Sequence, residues 1–186
     1  MITLRLKSLM KKNLKQMRQE ALSHWERTSY SRRLSLMALG IGLALGWAAF
    51  SSQYRLALNV TDSLSGHLYL IKLEDSSPYP RGTLIAFRWA ADAPIPKGTT
   101  VIKEVAGVAG DRISHNRSWV FINDQKLSVM KNRSKSGRSL TPGPTGIIPE
   151  NHYYAHAPHP DSLDSRYEKC GLIHVTQIVG EAIELF

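Results

Sequence analysis

A single cysteine, Cys170, is all the thiol the chain has, so no disulfide can close within it. No basic cluster surrounds Cys170, which reads as a small apolar residue and not as a nucleophile. Metal ligands are equally thin. His152, His156 and His159 stand close together, but Ala157, Pro158 and Pro160 break any helix that would align them, and no second ligand pair completes a site. No metal and no cofactor is therefore expected. Internal repeats are missing, and so is helical periodicity beyond residue 58. Acidic residues are scarce at the start: residues 1–33 hold nine Lys and Arg against Glu20 and Glu26. Charge of either sign is absent from Leu34 to Phe50.

The rest of the chain carries 15 basic and 13 acidic residues, so the high isoelectric point belongs to the N-terminal tail. A basic tail suits nucleic acid or an anionic membrane surface, and the next segment favours the membrane. Leu34–Phe50 is a 17-residue apolar run led by Arg32 and Arg33, at the low end of the roughly 17–25 residues that span a bilayer. Ser51, Ser52 and Tyr54 extend it, and Trp47 is placed for an interfacial belt. A cleaved secretory signal is the rival reading, but 33 residues is long for a signal's basic region. A retained anchor over 34–52 is expected, with residues 1–33 in the cytoplasm and 53–186 outside it. Leu6, Met10, Leu14, Met17, Ala21 and Trp25 recur at helical spacing among Lys7, Lys11, Lys15 and Arg18. An amphipathic helix over 1–33 is predicted, lying on anionic lipid; a partner-binding helix is the competing account. Nothing else supports nucleic-acid binding.

Beyond the anchor, short apolar runs alternate with turn signals, the pattern of a mainly β domain. Strands are expected over His67–Leu73, Thr83–Trp89, Thr99–Ala106, Arg112–His115, Trp119–Ile122 and His152–Ala155, and from Ile173 onward. Turns are expected over 76–80, 93–98, 107–110 and 123–124. Residues 131–146 read as a mobile basic loop rich in Gly, Pro and Ser.

Two stretches suggest chemistry. Asn59-Val60-Thr61-Asp62-Ser63-Leu64 sets a serine in a polar turn ahead of the apolar run around Leu68, Leu70 and Ile71. In Val101-Ile102-Lys103-Glu104-Val105, a lysine shares one face of a β segment with two valines. Such a lysine loses hydration, which lowers its pKa and leaves a neutral amine to act as a base. Serine with a desolvated lysine is one way to build an acyl-transfer nucleophile without histidine. A turn serine and a solvated lysine are the plainer readings. Gly107-Val108-Ala109-Gly110-Asp111 then makes a tight turn in which Asp111 can bond back to the backbone. Asp161-Ser162-Leu163-Asp164-Ser165-Arg166 offers a serine to orient the amine and an Asp164–Arg166 pair to brace the loop.

Taken in order, these stretches resemble the type I signal peptidases, membrane-bound serine–lysine peptidases, across roughly residues 55–186. The matching residues are Ser63-Leu64, Ile102-Lys103-Glu104-Val105 with Gly107, Gly110 and Asp111, and Ser162-x-Asp164-Ser165-Arg166. Asn59-x-Thr61-Asp62-Ser63-Leu64 followed by Leu68-Tyr69 looks most like the conjugative-transfer TraF branch, which matures pilin and in some members cyclises it. Ser65 stands where a proline is usual, His67 where that branch has glycine, and 155–159 replace the Gly-Asp-Asn of housekeeping enzymes. The resemblance implies a signal-peptidase or LexA-like coiled β-sheet fold, with Ser63 as nucleophile and Lys103 as general base. It implies Thr61 as an oxyanion donor, Ser162 as orienter of the amine, and Asp164 with Arg166 as structural or cyclisation-linked. It further implies a single-pass protein of the bacterial inner membrane with a periplasmic catalytic domain. The substrate would be a membrane-embedded prepilin or preprotein, with other conjugation proteins as partners. A general leader peptidase and a non-catalytic bitopic component of a secretion complex remain as alternatives, and the anchor disfavours a soluble self-cleaving repressor.

Overall fold

From Ile2 to Gln53 the chain is one α-helix, α1. The computed structural model describes residues 2–73, 77–116 and 118–186, and within α1 the side chains of 13–23, 25 and 30 onward. The sequence reading divided this stretch into an amphipathic helix and a separate anchor; α1 instead passes through residues 33 and 34 unbroken. No proline interrupts it, and Leu, Ala, Met, Lys and Arg all favour helix. The predicted apolar stripe falls partly outside the described side chains at Leu6 and Met10; Leu14, Met17 and Trp25 are exposed. Within α1, Tyr30–Gln53 is long and apolar enough to cross a membrane. Its 24 residues rise about 36 Å, more than the ~30 Å of a hydrocarbon core.

By internal contacts the chain forms two units, Met1–Phe50 and Ser51–Phe186. The second is mainly β. Its strands are β1 (Tyr54–Leu58), β2 (Leu68–Lys72), β3 (Leu84–Arg88), β4 (Thr100–Gly107), β5 (Arg112–Asn116) and β6 (Trp119–Ile122). They continue with β7 (Gln125–Val129), β8 (Gly146–Ile147), β9 (His152–His156), β10 (Ile173–His174) and β11 (Ile178–Glu184). A seven-stranded sheet runs β1-β2-β11-β3-β4-β9-β10, and a four-stranded sheet runs β7-β6-β5-β8. Neighbours pair antiparallel throughout.

The predicted strands correspond to β2–β6 and β9–β11. The reading left out β1, β7 and β8. β1 is an edge strand whose side chains are mostly exposed, β7 begins with two exposed polar residues, and β8 spans only two. β1 and β8 lack the in–out alternation that reveals a strand, and β7 shows it only over Lys126–Val129. The turn expected at 76–80 begins outside the described residues.

Alternation across the large sheet fills two of the three apolar cores among the described residues. Ile85 and Phe87 of β3 point to one face with Val105, Ala155 and Trp89. Ala86 points to the other with Tyr69, Ile71 and Ala182. The small sheet packs its own core of Ile113, Val120 and Ile122 against Met130, Ile148, Tyr154 and Tyr167. Residues 131–146, read as mobile, are tied down at several points. Pro142 bridges Tyr167, Lys131 pairs with Asp161, and Gly143 N donates to Arg166 O at 2.7 Å. Glycine is required at 143, because a Cβ there would lie 2.2 Å from Ser165 O.

Candidate active site

Lys103 owes its surroundings to β4, which is laddered to β3 on one side and β9 on the other. Val101 and Val105, two residues to either side, join the core on the same face, as their alternation predicts. Lys103 is only 6% exposed. Burial pulls the lysine's pKa down; the Asp164 carboxylate and the Cys170 thiol push back, and Arg166 adds to the lowering. Among the described residues the Lys103 amine has no hydrogen-bond or carboxylate partner. The turn after β4 is built as the sequence suggests. Gly110 takes a φ of +87°, a backbone state that favours glycine. Val108 N donates to Asp111 Oδ2 at 2.8 Å.

The segment 157–166, whose Asp164 and Arg166 charges act on the lysine, is held by a fully buried ion pair. Arg166 Nε donates to Asp164 Oδ1 and its Nη2 to Oδ2, each at 2.8 Å, with both side chains inaccessible to solvent. The spare donors and acceptors are used as well. Arg166 reaches the carbonyls of Val129, His159 and Ser162, and Asp164 Oδ2 accepts from Ala157 N at 3.0 Å. This saturation is what makes a buried pair tolerable. His156, 8% exposed, faces Glu104 across the β4–β9 ladder. Burial holds its imidazole neutral down to about pH 4. Burial pushes the Cys170 thiol the other way, up to about 12, which keeps it protonated.

Ser63 is held quite differently, in a turn between β1 and β2 closed by Asn59 N donating to His67 O at 2.8 Å. The side chain of Asn59 organises its interior. Its Nδ2 donates to Leu64 O at 3.2 Å and Gly66 O at 3.0 Å. Its Oδ1 accepts from Thr61 N at 3.1 Å and Thr61 Oγ1 at 2.9 Å. Thr61 Oγ1 and Ser63 Oγ lie 2.9 Å apart. The threonine's one hydroxyl proton goes to Asn59, an amide oxygen that only accepts, so Ser63 must be the donor in that pair. A chain of hydroxyls thus runs from Ser63 through Thr61 to Asn59. Asn59 is the residue whose role the sequence reading missed, although an asparagine opening a Thr/Asp/Ser turn is itself an Asx-turn signal.

Ser63, Thr61, Lys103 and Ser162 all line one cavity of about 580 Å³, with apolar walls from Leu58, Val60, Ile102 and Leu163. Ser162 Oγ is buried there and unpartnered among the described residues. No direct hydrogen bond joins Lys103 to Ser63 or to Ser162. Asp164 and Arg166 do not line the cavity; they support the segment that does. The three histidines weighed as metal ligands have separate places: His152 stacks edge-on with His174, His156 is buried on β9, and His159 Nδ1 accepts from Asp161 N.

The family model for signal peptidase, peptidase S26, matches residues 28–186. The chain belongs to that family. S26 members are serine endopeptidases, and leader-peptide cleavage is the activity the signal peptidase family suggests. Among solved structures, the chain is similar to a signal peptidase I from Enterococcus faecalis. The two share 22% identity over 56% of this chain and 97% of that one, with a TM-score of 0.37. No curated protein matches.

Proposed function

We propose that this S26 peptidase is a membrane-anchored serine–lysine endopeptidase that removes leader segments, with Ser63 as nucleophile and Lys103 as general base. One observation carries the reading: a serine hydroxyl and a buried, desolvated lysine amine open into the same apolar-walled cavity. Neutral Lys103 takes the Ser63 Oγ proton as the oxygen attacks the scissile carbonyl. The tetrahedral oxyanion is held by the Ser63 N–H, with Thr61 Oγ1 turning from Asn59 to donate to it. Ser162 orients the lysine amine. Collapse expels the new amino terminus, which takes the proton from Lys103, and leaves an acyl-enzyme. Water resolves that ester; attack by the substrate's own amino terminus would release a ring instead.

Tyr30–Gln53 spans the bacterial inner membrane in this reading. The basic residues before it stay at the cytoplasmic face on anionic lipid, and the β domain lies in the periplasm. An anchored enzyme meets membrane-held substrates at high effective concentration. The Asn59-x-Thr61-Asp62-Ser63-Leu64 pattern favours propilin of a conjugation system as the substrate, within an assembly of other transfer proteins.

Mass spectrometry of the propilin made with the wild-type chain, with Ser63→Ala and with Lys103→Met tests this. Wild type is expected to shorten the pilin, and a further loss of one water marks a ring. Both variants are expected to leave it full length. Processing of many secretory precursors would favour a general leader peptidase. Normal pilus assembly with either variant would mean a non-catalytic component.

A further inference from the structure

Five of the domain's basic side chains gather at one place beside the candidate site. Lys131, Arg133, Lys135, Arg138 and Lys169 line a second cavity of about 580 Å³, with Asp161 its lone acidic residue. Elsewhere the β domain is nearly balanced in charge, so this clustering is not a by-product of overall composition. The second cavity adjoins the first: Lys135, Asp161, Ser162 and Leu163 line both. A chain leaving the Ser63–Lys103 cavity past Ser162 would enter it directly. The wall already holds one carboxylate, since Lys131 and Lys135 both reach Asp161. Arg133, Arg138 and Lys169 have no carboxylate partner among the described residues.

We propose that this cavity is an extended substrate subsite that takes acidic side chains a few residues from the scissile bond, and so selects substrates with an acidic flank. The inference rests on the peptidase reading for its placement and on the charge of the wall for its ligand. Continuity with the cavity at Ser63 is what favours a polypeptide over a lipid headgroup. Complementary charge of this kind acts mainly on encounter and selectivity, so it bears on KM more than on kcat.

The test uses the full-length chain in neutral detergent and two fluorescent peptides of Ala, Ser and Leu. One carries a cluster of glutamates at one end, tried at either end; its twin has glutamines there. Binding is measured first on the Ser63→Ala protein, where cleavage cannot interfere. The glutamate peptide is expected to bind about tenfold tighter, the product of a few exposed ion pairs, and high salt should erase the difference. The triple variant R133Q/R138Q/K169Q, changed only at exposed positions, is expected to lose the preference and bind the glutamine peptide normally. Equal binding of both peptides, or a preference surviving in the triple variant, overturns the proposal. So does a triple variant that keeps the preference but loses binding to anionic vesicles, which would make the wall a lipid contact. If the preference holds while wild type cleaves neither peptide nor any leader, the wall binds acidic peptides but the peptidase reading, and the role of substrate subsite with it, falls.

Discussion

Ser63 and Lys103 share a cavity but not a manner of support. The serine rides on a half-exposed turn whose internal order comes from one amide side chain, Asn59, spanning Thr61, Leu64 and Gly66. The lysine is paired to Ile85 of β3 on a strand that β9 ladders from the next residue onward, and it feels the charges of a saturated buried ion pair. In the proposed mechanism the buried amine needs a rigid dry wall to stay neutral, whereas the nucleophile changes hydrogen-bond partner and needs room to turn. In the structure Ser63 donates to Thr61, and the proposed transfer to Lys103 requires that hydroxyl to rotate.

The comparison breaks most sharply on the lysine's side. Asp164→Ala leaves Arg166 buried and unpaired, and should destabilise the domain by about 3–5 kcal/mol; thermal melting of the variant checks it. Replacing both members with apolar residues of similar volume should cost less than either single change.

Acid should act on the same side. Folded His156 protonates only near pH 4, below an unfolded histidine at about 6.5, so the unfolded chain takes up the proton first. Its contribution is fully present above pH 6.5 and is lost as pH falls from there toward 4, by about 3 kcal/mol at most. Melting temperature followed across that window should fall less steeply in His156→Gln than in the wild type.

On the serine's side the effects are smaller and kinetic. Asn59→Ala should lower kcat about tenfold, the loss of roughly one to two net hydrogen bonds, with KM and the pH dependence little changed. Asn59→Asp keeps both bonds from Thr61 and loses those to Leu64 and Gly66, so it should fall between. Steady-state kinetics on a leader peptide, corrected for the folded fraction, would separate this from a merely structural role.

Much of the lysine's setting was legible in the sequence because strand alternation is local: Val101, Lys103 and Val105 declare their common face. The Gly110–Asp111 turn and the Asp164–Arg166 pair were legible for the same reason, each closing over a few residues. β1 and the polar-edged β7 were not, since their pairing comes from partner strands and not from their own pattern. Nor could spacing reveal that α1 runs unbroken from the basic tail, because lysine-rich and leucine-rich segments both favour helix. The hydroxyl chain from Ser63 to Asn59 depends on the fate of single protons, which only the folded turn decides.

Central to the proposed mechanism is that burial, which lowers the pKa of Lys103, leaves its amine uncharged for Ser63. Isotope-labelled lysine in the full-length Ser63→Ala protein, titrated by NMR with Lys103→Met assigning the signal, reads that amine directly. The account predicts that Lys103 loses its proton well before the surface lysines, in the same pH range where wild-type cleavage rises with pH. A Lys103 signal that titrates together with the surface lysines would contradict it.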